Sequence, residues 1–142
     1  MSNQDAAFGL RPNSKLGSNV NSEGTTEYSI ASGASGNIFS GDPVKMANTG
    51  TILVAAAGDL LLGVFRGCRY TNASGEVIYS SYWPDGTVSS DAVAFVVDDP
   101  NSLFEVQSAA TGSVVQTVVG NNADIVYAAG STVDGQSGVE IS

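Results

Sequence analysis

The stretch AVAFVVDDPNSLFEVQ, residues 92–107, sets six apolar residues in a row, then a turn, then an alternating run. Ala92–Val97 is partly β-branched and too short for a helix to be preferred, so it reads as a strand covered on both faces. Asp98-Asp99-Pro100-Asn101 stops it. Asp and Asn bond their own backbone in turns, and proline fixes φ and lacks an amide hydrogen. In Leu103–Gln107, Phe104 and Val106 fall on one face and Glu105 and Gln107 on the other, the two-residue period of a half-buried strand.

The same rhythm extends in both directions. Upstream, Thr25–Ile30, Pro43–Met46, Thr51–Ala56, Leu60–Phe65 and Glu76–Trp83 read as short strands. They are separated by a Gly/Ser loop at 31–37, by Asn48-Thr49-Gly50, Gly58-Asp59 and Asn72-Ala73-Ser74-Gly75, with Pro84-Asp85-Gly86 after the last. Leu60–Phe65, apolar except at Gly63, is expected at the centre of the core. Downstream, Val114–Val119, Asp124–Ala128 and Gly138–Ile141 continue the series, with Gly120–Ala129 open to a short helical turn. The last run lacks an obvious cap, which leaves its strand open to pairing with a neighbouring molecule.

The expected fold is one all-β domain, a small β-barrel or sandwich, with an N-terminal arm at 1–24 and a β-rich body at 25–142. The arm is rich in Ser, Asn and Gly and shows no sustained period, yet Phe8, Leu10 and Leu16 are apolar islands in it. They either anchor the arm to a partner or pack back on their own domain.

At 142 residues one core is expected, and 17 glycines suit many turns better than long helices. The formal net charge is −9. A surface of that sign repels phosphate backbones, so nucleic acid is not an expected partner. Arg11 and Lys15 face only Asp5 in residues 1–22, whereas the rest of the chain sets Lys45, Arg66 and Arg69 against 13 carboxylates. No secretory signal and no apolar run long enough to span a bilayer is visible, so a reducing cytoplasm is the expected site of folding and no membrane association is expected. Cys68 is the sole cysteine, which excludes an internal disulfide and suggests a small buried hydrophobe.

The sequence has no histidine, so triads that need an imidazole base are impossible, and one cysteine cannot build a zinc site. Gly135-Gln136-Ser137-Gly138 has the wrong spacing for a nucleophile elbow, and no phosphate-cradling glycine motif occurs. Asp98 and Asp99 with Asn101 form the densest oxygen cluster, read either as a turn or as a calcium loop lacking the usual spacing. Tyr79, Tyr82 and Trp83 either fill the end of the fold or face a subunit or a sugar. No enzymatic activity, cofactor or metal is expected.

Taken together, DAAFGLRP (5–12), TTEYSIA (25–31), IFSGDPVKM (38–46), GTILVAAAGDLLLGVFRGCRY (50–70) and AFVVDDPNSLFEVQS (94–108) resemble tailed-phage and cyanophage capsid cement or decoration proteins. The resemblance spans most of the chain and implies a structural virion protein, a small homo-oligomer with a trimer favoured, on the outer capsid surface. The major capsid protein is then the expected partner. Phe8, Leu10, Arg11, Lys15 and Leu16 are the expected attachment residues. The alternatives are a tail or head-fibre base module and a carbohydrate-binding module built on Tyr82 and Trp83.

Overall fold

The computed structural model describes residues 5–18, 24–109 and 113–142. Among these residues ten strands form in chain order: β1 Arg11–Lys15, β2 Thr26–Ser29, β3 Pro43–Met46, β4 Ile52–Val54, β5 Gly63–Thr71, β6 Val77–Ser80, β7 Val93–Val97, β8 Ser102–Glu105, β9 Ile125–Val126 and β10 Glu140–Ile141. The only helical pieces among the described residues are single 3₁₀ turns at Leu16–Ser18 and Gln116–Val118. The chain is nearly all β, as its turn-rich sequence requires.

Six strands make the main sheet, in the order β2-β7-β5-β3-β4 with β6 also paired to β5. All its ladders are antiparallel. The edge strands β2 and β4 meet only through an isolated bridge between Ser29 and Thr51, so the sheet curls without closing. Two smaller antiparallel pairs, β1 with β8 and β9 with β10, complete a sandwich-like domain. The final strand therefore pairs within its own chain.

β5 organises the core, and a bulge makes that possible. Its register against β7 slips between Phe65 and Gly67, leaving Arg66 as the extra, exposed residue. Three residues apart in a regular strand, Phe65 and Cys68 would face opposite sides. The inserted residue returns them to one face, where both join Tyr70, Val44, Ile52, Val96 and Trp83 in the main core. Gly67 takes φ 153° to allow the bend. Val64 and Val97, on the other face, are buried too, beside Leu10, Phe104, Ile125 and Ile141.

Three elements differ from the sequence reading. Leu60 and Leu61 lie outside the core, 93% and 49% exposed, because the strand starts only at Gly63 and Leu62 alone of the three packs inward. Gly63 has to be glycine, since a Cβ there would sit 2.3 Å from the Val97 carbonyl oxygen. Val114–Val119 is no strand; it holds a 3₁₀ turn with no buried residue. The Gly/Ser loop at 31–37 is fastened, not flexible. Gly36 N–H donates to Asp85, Asp85 N–H to Asn37, and Ile38 and Trp83 exchange backbone bonds of 3.1 and 2.7 Å.

Candidate partner-binding surfaces

The described part of the arm lies along its own body. Gly9, at φ 73°, presses so closely on Ser137 and the Gly41 carbonyl that a Cβ there would come within 2.5 Å of Ser137 Cβ. Leu10 N–H then donates to the Gly41 carbonyl at 3.0 Å, and β1 runs antiparallel to β8 with a register shift between Pro12 and Ser14. Beyond it, Leu16 N–H donates to the Asn101 carbonyl at 2.9 Å.

Of the five expected attachment residues, Phe8 and Leu10 are half-buried, and Arg11 places its guanidinium 4.4 Å over the Phe8 ring. Lys15 pairs with Asp99 at 2.9 Å. Leu16 remains 53% exposed. Among the described residues β1 is laddered to β8.

Beneath the arm sits a buried polar junction that no local motif marks. Asp42 is fully enclosed and accepts hydrogen bonds from Phe39 N–H at 2.9 Å and from the Ser137 hydroxyl. Ser137 also accepts from Val139 N–H at 3.0 Å. Burial pushes the Asp42 carboxyl above its usual value, and the two donors pull the other way without offsetting it. The serine of the false nucleophile elbow is thus a structural donor tying residues 137–139 to the Gly-Asp corner.

Asp98 and Asp99 act separately. Asp98 accepts from Tyr28 Oη at 2.7 Å and Thr26 Oγ1 at 2.9 Å, clasping β2; this bond to the carboxylate raises the Tyr28 phenol above its usual value. Asp99 accepts from Asn101 N–H at 2.9 Å, closing the turn, and that bond together with Lys15 lowers its carboxyl below the usual range. No group of three or more acidic or cysteine side chains is placed to hold a metal ion among the described residues. Cys68 is buried, with its thiol pushed up to about 12 by desolvation.

The three aromatics are dispersed. Tyr79 is 71% exposed, Tyr82 stacks on Phe39 at 5.7 Å, and Trp83 is wholly enclosed with its edge on Tyr70 at 5.5 Å. Trp83 has no face to offer a sugar or a subunit, so these residues form no common stacking platform. Exposed apolar side chains lie elsewhere, among them Leu60, Val88, Val114, Val115, Val119 and Val133. No protein-family model matches the chain, and neither a curated protein nor a solved structure matches it.

Proposed function

We propose that this chain is a structural protein of a tailed-phage virion, a capsid cement or decoration protein that seats on the outer surface of the major capsid protein lattice. The observation supporting the reading is β1, an arm held extended along its own body by β8, with Arg11 on it and Leu16 just beyond it exposed. A capsid-protein surface docking along this arm would meet the exposed Arg11 and Leu16 side chains, one cationic and one apolar, on and just beyond β1. Because the chain already holds β1 extended, little ordering entropy remains to oppose binding. In a homotrimer three such arms act together through effective concentration. The acidic body, made in the host cytoplasm, keeps the unbound protein soluble.

Cosedimentation with expanded empty shells of the encoding phage tests this. The purified protein should bind saturably, and Arg11→Glu combined with Leu16→Asp should weaken binding at least tenfold without altering the circular dichroism melt. Absence of shell binding, or labelling confined to the tail vertex of intact particles, would overturn the reading in favour of a tail or fibre module.

A further inference from the structure

From residue 113 to residue 134 no side chain is buried. Within that stretch Val114, Val115, Val118 and Val119 are 63%, 57%, 45% and 71% exposed. Their stiff, β-branched side chains favour extended backbone. Among the described residues the segment is instead held by local bonds, Val118 N–H to the Val115 carbonyl and Val119 N–H to the Gln116 carbonyl, each 3.2 Å, and Asn121 N–H to the Val118 carbonyl at 3.1 Å. A run of this kind, β-prone, uncharged and free of proline, pairs readily with another chain when left open.

Charge decides which chain. Residues 106–123 carry no charged side chain, in a protein of net charge −9. It is the longest uncharged stretch of the chain, and two acidic copies meeting on it desolvate no carboxylate. A basic partner, conversely, would find nothing on this stretch to pair with. We infer that Val114–Val119 is a self-association segment, covered in solution by the same region of a second copy of this chain. The contact uses none of the residues proposed for capsid attachment.

Sedimentation velocity of the full chain, without shells, reads it directly. The protein should shift from monomer to oligomer over about a hundredfold rise in concentration. Val115→Glu combined with Val119→Glu should sediment as monomer throughout. Added NaCl should tighten association of the wild type, because it screens repulsion between acidic copies and leaves the apolar contact intact. A wild type that stays monomeric, association loosened by salt, or a glutamate variant that associates like the wild type would each overturn the inference. The salt series needs no variant, so it decides even where the glutamates impair folding. Loss of shell binding alone would leave this result untouched.

Discussion

Ala92–Val97 and Val114–Val119 are near-twins in composition and opposites in fate. The first, AVAFVV, becomes β7, hydrogen-bonded to β2 on one side and β5 on the other, with Ala94 and Val96 at 0% exposure. The second, VVQTVV, stays on the surface around a single 3₁₀ turn. Apolar β-branched sequence therefore supplies only the capacity to be a strand. Two strands waiting on either side convert it into one, since the ladder and the burial come from neighbours.

The core side of this contrast is most sharply broken at Trp83. Replacing it with alanine removes the largest enclosed side chain and its edge contact with Tyr70. The expected loss is about 3–5 kcal/mol, lowering the melting temperature by roughly 10–20 °C. A loss below about 1 kcal/mol in guanidinium titration would contradict the burial described for β6 and the loop after it.

Gly63→Ala comes next. Its new methyl would meet the Val97 carbonyl oxygen at 2.3 Å and Val96 Cγ1 at 2.8 Å, so β5 and β7 must part. A cost of about 2–3 kcal/mol is expected from thermal melts. An unchanged melt would show that this end of the ladder yields easily.

Matched substitutions then compare the twins directly. Val96→Thr places a hydroxyl where nothing accepts it, at a cost of about 1–2 kcal/mol. Val118→Thr, at a position 45% exposed, should change the stability of dilute protein by less than about 0.5 kcal/mol. Chemical denaturation at low protein concentration checks both. Equal losses would place Val114–Val119 inside a core.

Much of this architecture was legible beforehand. β3 falls on Pro43–Met46 as its turn-flanked run implied, and β2, β7 and β8 lie within a residue or two of their expected limits. What local pattern could not convey was register. The bulge at Arg66 puts Phe65 and Cys68 on one face, and the strand's late start at Gly63 strands Leu60 and Leu61 in solvent. The junction of Gly9, Asp42 and Ser137 joins positions too far apart in sequence for any local motif to reveal. The all-β body was readable from periodicity; the arm's seat on it was not.

Two carboxylates carry the inside-outside comparison to its smallest effect. Asp91 lies at the surface, accepting from Thr71 Oγ1 and Ser89 Oγ, both at 2.6 Å, and from Thr71 N–H at 3.2 Å. The Ser89 and Thr71 bonds hold its carboxyl down to about 2. Its folded value lies below the unfolded one, so its contribution is complete above the unfolded value near 3.8 and is lost as pH falls through about 2. Asp42 behaves in the opposite sense. Its folded value is raised by burial, so its contribution is complete below 3.8 and is lost as pH rises through that raised value. Urea titrations of Asp91→Asn and Asp42→Asn against the wild type, from acid to neutral pH, should therefore give difference curves of opposite slope. Asp91→Asn should lose ground to the wild type as pH rises from about 2 to 4, and Asp42→Asn should gain ground on it as pH rises above 4. Slopes of the same sign would mean that the two side chains share one environment, against their placement in the enclosed corner and on the open surface.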